Sequence, residues 1–195
     1  MAPLPPERVT AGSPVFTCTA VDYFGPILVK RARSQVKRFG CIFTCMASRA
    51  VHIEIAHALD TNAFLNAFSR FVARRGKISK MISDNGTNLV GGERELREGI
   101  QRWNQAFIHK ELSQQGIHWY FITPGAPHAG GVWERLVQLT KRILTGLIHN
   151  HVLDDDALNT FCVEVERIIN SQPITSLSDD PKNGACLTTS MLLHL

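Results

Sequence analysis

The feature that most constrains the fold is the run VFTCTAVDYFG, which extends from Val15 to Gly25. The run is apolar and β-branched almost throughout, which is typical of a strand covered on both faces. Helices on both sides of a sheet provide such cover, so the run predicts a layered α/β domain. Asp22 lies inside this run, where burying an unpaired carboxylate is costly.

Two more strands are predicted directly after this run. The stretch PILVKRARSQVKRFGCIFTCM indicates a hairpin with a basic turn around residues 33–35. The stretch AVHIEIAHAL alternates from Val51 to Ile55, with His52 and Glu54 at the polar positions. Period-two alternation is the signature of a half-buried strand. The first three strands are therefore expected to form an antiparallel meander.

The rest of the chain alternates between helical and strand patterns. The first part comprises a helix capped by Asp60 or Thr61 and closed by Gly76, the strand KMIS, and a helical region from about Glu93 with Leu96, Ile100, Trp103 and Phe107 in register. The second part comprises the strand IHWYFI, the loop TPGAPHAGG, a long helix from near Val132, and a last helix from the acidic cap at 154–156 to Pro173. The predicted fold is α/β, with a mixed central sheet of about five strands flanked by helices on both faces.

Composition excludes several classes of protein. No apolar run reaches the roughly 18 residues that a membrane helix needs, and the first ten residues, MAPLPPERVT, lack the apolar segment of a secretory signal. Five cysteines without framework spacing indicate reduced thiols, hence a nuclear or cytoplasmic protein that is not secreted. The net charge of +4 permits a nucleic-acid partner without requiring one. Residues 1–12 are proline-rich and predicted to be an extended leader, and residues 13–190 form the predicted folded domain.

Three carboxylates occupy unusual places in this pattern. Asp22 lies in the apolar first strand, Asp84 ends the strand KMIS just before Asn85 and Gly86, and Glu134 lies in the predicted first turn of the long helix. Taken singly, Asp84 is explained as a turn residue and Glu134 as an ordinary acid near a helix start. Taken together, two strand acids and one helix acid predict an oxygen-only site, which suits Mg²⁺ or Mn²⁺ and not zinc.

The motifs around these acids carry a resemblance to a known family. The segments VDYFGP (21–26), SDNGTN (83–88) and PHAGGVWER (127–135) occur in order, and RAVHIEI, RFVARRGK and IINSQPIT add to them. The chain resembles the catalytic core of retroviral and retrotransposon integrases. These are the Asp-Asp-Glu polynucleotidyl transferases of the ribonuclease H-like superfamily, and the wording is most similar to the Pao/BEL class of LTR retrotransposons. The resemblance covers nearly the whole chain from about Val9.

The resemblance implies a reaction and a set of site residues. Asp22, Asp84 and Glu134 would be catalytic and would bind two Mg²⁺ or Mn²⁺ ions. The reaction would be 3′-end processing of element DNA followed by strand transfer into target DNA. The loop 125–131 would lie beside the site, and the residues expected to contact DNA are Asn85, His128, Gln138 and Lys141. For Gln138 and Lys141, a solvated helix face is an equally good explanation.

The chain also departs from the family pattern. Asp84 and Glu134 are fifty positions apart, longer than in retroviruses, and Leu89 replaces a usual aromatic. The zinc-binding module that usually precedes the core and the basic domain that follows it are expected to be absent. We expect DNA and further copies of the core domain as partners, and no membrane. Two alternatives remain open: a catalytically silent remnant that binds nucleic acid or protein, and a ribonuclease H-like nuclease without strand transfer.

Overall fold

A computed structural model describes residues 12–84, 94–122, 127–149, 153–174 and 186–194. The strands are β1 (Cys18–Arg31), β2 (Ser34–Cys45), β3 (Val51–Ala56), β4 (Lys80–Asp84) and β5 (His118–Ile122). The helices are α1 (Thr61–Arg75), α2 (Arg94–Gln101), α3 (Gln105–Gln114), α4 (Pro127–Ile148), α5 (Asp155–Asn170) and α6 (Thr189–Leu192). None of the helices in these ranges is long and apolar enough to cross a membrane.

The strands form one mixed sheet in the order β3-β2-β1-β4-β5. β1, β2 and β3 pair antiparallel, and β4 and β5 pair parallel to β1 and to each other. The predicted meander is confirmed, with the basic turn at residues 32–33. The structure also joins two predicted segments into one strand, because β1 continues through an irregularity between Phe24 and Ile27.

Helices cover both faces of the sheet, as predicted. We call the side of α1, α2 and α3 the back face, where aromatic rings of α1 such as Phe64 and Phe71 pack into a large apolar cluster with β1 and β2. We call the side of α4 and α5 the front face, where Val137 and Leu158 contribute to a second cluster. Alternate side chains of the inner strands enter opposite clusters, which explains the near-continuous apolar runs.

The helix α1 agrees with its prediction in detail. Asp60 caps it by accepting a hydrogen bond from the Ala63 backbone N–H at 2.8 Å, and Gly76 ends it with a φ of 87°. A positive φ is readily adopted by glycine, which has no Cβ to clash. The other predicted cap is also confirmed, since Asp154 accepts from the Ala157 backbone N–H at the start of α5.

Two helix predictions are wrong. The helical region expected from about Glu93 is split into α2 and α3, because Asn104 caps a new helix at this point and Phe107 is left 41% exposed. The long helix starts at Pro127 and not near Val132, so it overlaps the loop expected over 125–131. Proline is favoured in the first turn of a helix, where its missing N–H has no intrahelical partner.

The outer edge of β3 is occupied by side chains from the two flanking helices. The Asn170 side chain accepts from the Val51 N–H and donates to the Val51 carbonyl, both at 2.9 Å. Glu166 accepts from the Ile53 N–H at 3.1 Å. Arg70 donates to the Ile55 carbonyl at 2.7 Å. Four outward-pointing backbone groups of this strand are therefore paired without a sixth strand.

Candidate active site

The two aspartates of the sequence pattern occupy neighbouring parallel strands. Val21 of β1 pairs with Ser83 of β4, and Asp22 and Asp84 each follow by one residue. Residues in register on parallel strands share a face, and adjacent strands are about 4.8 Å apart. Ala20 and Ile82, the pair two residues earlier, belong to the front face, so Asp22 and Asp84 occupy front-face positions next to each other.

Asp22 is half-buried, and its Oδ1 accepts a hydrogen bond from the Tyr23 backbone N–H at 2.7 Å. This contact limits the rotation of the carboxylate. The side chain of Asp84 lies outside the described part of the structure. Its strand is fixed from the back face, where Trp119 Nε1 donates to the buried Ser83 hydroxyl at 2.7 Å. The residue preceding Asp84 is therefore anchored by a contact that the sequence did not single out.

The helix α4 crosses the front face directly beside this pair. Trp133 is 3% exposed and packs in a small cluster with Ala20 and Met46, against which Ile82 also packs. Ala20 and Ile82 lie two residues before Asp22 and Asp84 and on the same face of the sheet. Trp133 therefore packs next to the aspartates, on the side toward the start of the strands. Glu134 follows Trp133 in the chain, with its Cα about 3.8 Å away.

The orientation of Glu134 differs from the prediction. From residue 133 onward, where the side chains of α4 are described, the buried ones are Trp133, Val137, Thr140 and Leu144. The sequence instead indicates an apolar stripe from Val132 to Leu147 with Trp133 outside it. At about 100° per residue, Glu134 is then about 90° from the middle of the buried stripe and not about 180°. Because tryptophan buries the largest surface, it sets which side of the helix faces the sheet.

Glu134 is also deeper in the helix than expected. It is the eighth residue of α4, about two turns from Pro127. The macrodipole effect falls off within the first turn, so the argument that the helix start favours this acid no longer holds. Glu134 is exposed and lies on the flank of the helix beside the sheet.

The residues predicted to contact DNA are described only in part. Asn85 lies outside the described residues. His128 lies in the first turn of α4, and its side chain is not described. Gln138 is exposed and Lys141 is half-buried, and both are on the same flank of α4 as Glu134 at following turns.

The described side chains form no group of three or more His, Cys, Asp and Glu residues that could hold a metal ion, and the Asp84 carboxylate is not among them. Carboxylate oxygens, which Asp22, Asp84 and Glu134 would supply, are the donors that a hard cation prefers. A separate groove of about 490 Å³ lies at the opposite sheet edge, lined by residues of β3, α1 and α5 such as Glu54, Arg70 and Asp155. None of the predicted site residues lines that groove.

Polar residues around β3 form a second cluster that the sequence did not reveal. His52 and Glu54, predicted at the polar positions of an alternating strand, are 3% and 4% exposed. His52 Nε2 is 2.8 Å from Glu54 Oε1, and Arg70 and Arg74 donate to Glu54 at 2.6 and 2.7 Å. Desolvation raises the pKa of Glu54, and its bonds to His52 and Arg70 outweigh that effect and leave the pKa lowered.

Comparison with solved structures identifies the fold. A chain of the simian T-cell lymphotropic virus intasome, determined in complex with PP2A regulatory subunit B56 gamma, matches with a TM-score of 0.60 and 15% identity. The HTLV-2 integrase catalytic core domain, in complex with magnesium, matches in its dimeric form with a TM-score of 0.59 and 14% identity, and in its trimeric form with 0.58 and 15%.

The extent of the match differs between these structures. The match covers the whole of this chain and 60% of the intasome chain, so this chain spans less than two thirds of that protein. It covers 93% of this chain and 98% of the dimeric HTLV-2 core, and 94% and 99% for the trimeric form. No protein-family model and no curated protein matches the sequence. The chain has the ribonuclease H-like fold of retroviral integrase catalytic cores, and the predicted fold class is confirmed.

Proposed function

We propose that this domain is the catalytic core of a retrotransposon integrase of the Pao/BEL type, which joins element DNA to target DNA by metal-dependent polynucleotidyl transfer. The observation that carries the proposal is the pairing of Asp22 and Asp84 positions on neighbouring parallel strands, with α4 packed on the same face through Trp133. A shared fold alone supports many chemistries, so the proposal depends on these residues and not on the fold.

In this proposal Asp22, Asp84 and Glu134 hold Mg²⁺ or Mn²⁺. Two such ions, when bound, stabilise the attacking and leaving oxygens of an in-line displacement at phosphorus. The 3′-hydroxyl of the element attacks a phosphodiester of the target, a new P–O bond forms, and the target's own 3′-oxygen leaves. Asp22, held by the Tyr23 N–H, and the anchored end of β4 provide fixed positions, and fixed positions reduce the entropic cost of aligning the reactants.

DNA contacts are proposed along the flank of α4 that carries Glu134. Lys141 would meet a phosphate and add affinity and salt dependence, whereas Gln138 would add a hydrogen bond. Asn85 and His128 are proposed as further contacts at the two ends of the site. Self-association of the core is proposed because the similar HTLV-2 cores are described as dimeric and trimeric. Activity on chromosomal DNA would take place in the nucleus.

The test is strand joining by the purified chain with Mn²⁺ and pre-nicked element-end DNA. We expect joined product from the wild type, and loss of product in D22N, D84N and E134Q. D156N is the matched control, because Asp156 is an exposed acid in the first turn of α5. Product from the three site variants would refute the assignment. Binding without product favours a silent remnant, and cleavage without joining favours a nuclease.

A further inference from the structure

Part of the front face beside the candidate site is lined by an exposed aromatic side chain and a cation. Tyr120 of β5 is 50% exposed, and His118 on the same strand is also exposed. Lys80 of β4 pairs in register with His118, and Ile82 pairs with Tyr120. We call Lys80, His118 and Tyr120 the β4–β5 shelf. The helices of the front face, α4 and α5, contact mainly β1 and β3, and α3 contacts β5 from the back.

The shelf combines an aromatic ring with positive charge. The Lys80 ammonium lies 4.5 Å from the centre of the Tyr120 ring, which is a cation–π contact. The centre of the His118 ring is 6.5 Å from the centre of the Tyr120 ring. Lys77 adds a second cation at the same end, since its Nζ is 4.0 Å from the place that a Cβ on Gly116 would occupy. The positive end of the shelf thus lies where β4 and β5 begin.

The opposite end of the shelf leads to the acids. Tyr120 pairs with Ile82, and Asp84 is two residues further along the same strand. With a rise of about 3.3 Å per residue and a strand spacing of about 4.8 Å, the Tyr120 and Asp84 Cα atoms are about 8 Å apart. An occupant of the shelf therefore extends from two lysines, across an aromatic ring, to the candidate site.

We propose that the β4–β5 shelf binds an unpaired DNA strand, with a base stacked on Tyr120 and phosphates near Lys80 and Lys77. Positive charge that follows the backbone, together with an exposed aromatic ring, is the combination that binds single strands. An unpaired end also suits the proposed reaction, because its 3′-hydroxyl can approach the acids without the partner strand. The inference rests on the proposed function for the direction of the strand, but the binding itself does not require catalysis.

The competing explanation is a solvated edge strand. β5 is the outer strand on this side of the sheet and Lys80 lies on β4 next to it, so Lys80 would only keep the solvent-facing surface charged and pack its ammonium over the Tyr120 ring. The two explanations differ in what an oligonucleotide does. Stacking predicts a loss of affinity on removal of the ring but not of the hydroxyl, whereas a solvated edge predicts no change in either case.

The experiment measures fluorescence anisotropy of a labelled oligothymidine of about 12 nucleotides in EDTA, which removes any contribution from bound metal. We expect Y120A to weaken binding about 5- to 100-fold and Y120F to bind like the wild type. K80Q should make the plot of log association constant against log salt concentration shallower, reducing the magnitude of its slope by about 0.7. Matched controls are F107A and K110Q on α3, since both side chains are exposed and α3 packs on the back face.

Two results would overturn the shelf. In the first, Y120A binds the oligothymidine as tightly as F107A, and K80Q binds it as tightly as K110Q. The other is an equal loss of affinity of Y120A for the oligothymidine and for a blunt duplex, because a paired base has no free face to stack. Failure of the proposed function looks different: no Mn²⁺-dependent product from the wild type, while oligothymidine binding still depends on Tyr120. Unchanged joining and binding in Y120A would refute the shelf and leave the proposed function intact.

Discussion

Replacing Glu166 by glutamine should weaken the contact between β3 and α5 more than its small change in shape implies. The Glu166 carboxylate is 12% exposed and lies 3.2 Å from His52 Nδ1, accepts from the Ile53 N–H at 3.1 Å, and pairs with Arg75. Glutamine keeps one acceptor oxygen, but its amide group then faces donors and cannot accept from them.

The magnitude follows from these contacts. Breaking a buried ion pair by removing one partner costs about 3–5 kcal/mol. Arg75 is 22% exposed and can recover some hydration, so we expect somewhat less than that, about 2–4 kcal/mol of unfolding free energy. With a urea m-value of about 2 kcal/mol/M, the midpoint of unfolding should fall by about 1–2 M.

The assay is urea unfolding followed by tryptophan fluorescence. E164Q is the matched control on the same helix, because Glu164 pairs only with Arg167 in the described structure, at the surface. The E164Q midpoint should equal that of the wild type. If E166Q unfolds at the same urea concentration as E164Q, the buried network does not stabilise the fold and the reasoning is wrong.

The same network predicts a dependence of stability on pH. Burial lowers the pKa of His52, but hydrogen bonds to Glu166 and Glu54 outweigh burial and leave it above 6.5. A protonated His52 donates from Nδ1 to Glu166, whereas a neutral His52 can accept there from Arg75 Nε. A raised pKa stabilises the fold fully below 6.5 and stops doing so as pH rises through the folded value. The wild type should lose unfolding free energy from pH 6 to pH 8, and E166Q should lose less.

Two substitutions test the packing of the front face. G40A should destabilise the fold by about 1–3 kcal/mol, because the new Cβ would lie 2.1 Å from the buried Phe24 ring; an unchanged melting temperature would contradict the close approach of β1 and β2. W133A should cost about 3–5 kcal/mol in urea and abolish joining, because Trp133 is 3% exposed beneath the candidate site; W133A with normal unfolding would show that this residue does not anchor α4.

Local patterns in the sequence predicted much of the fold. The helix α1 has its cap, its aromatic stripe and its terminal glycine between Asp60 and Gly76, so its limits follow from local rules. The apolar run around Asp22 indicated cover on both faces, and the structure has that cover. Asp22 and Asp84 lie side by side because β1 and β4 pair in parallel register. That register cannot be read from the local sequence of either strand.

Other features depend on contacts far apart in the chain. His52 and Glu54 alternate with apolar residues, a pattern that predicts a solvent face, yet both are buried. Arg75, 23 positions further along the chain, and Glu166 of α5 contact His52, and Arg70 and Arg74 of α1 contact Glu54. The sequence predicts a start of α4 that is too late, because glycines 130 and 131 are poor helix formers. Packing of Trp133 on the sheet outweighs that preference, and no local signal indicates where a tryptophan will pack.

The closed edge of β3 restricts how copies of this chain can join. A strand from a second copy could not form backbone hydrogen bonds with β3 unless the side chains of Asn170, Glu166 and Arg70 first left the strand. Any assembly on that side must therefore rely on contacts between side chains. An edge closed in this way also cannot extend into a continuous sheet of many copies, which is how strands assemble into fibres.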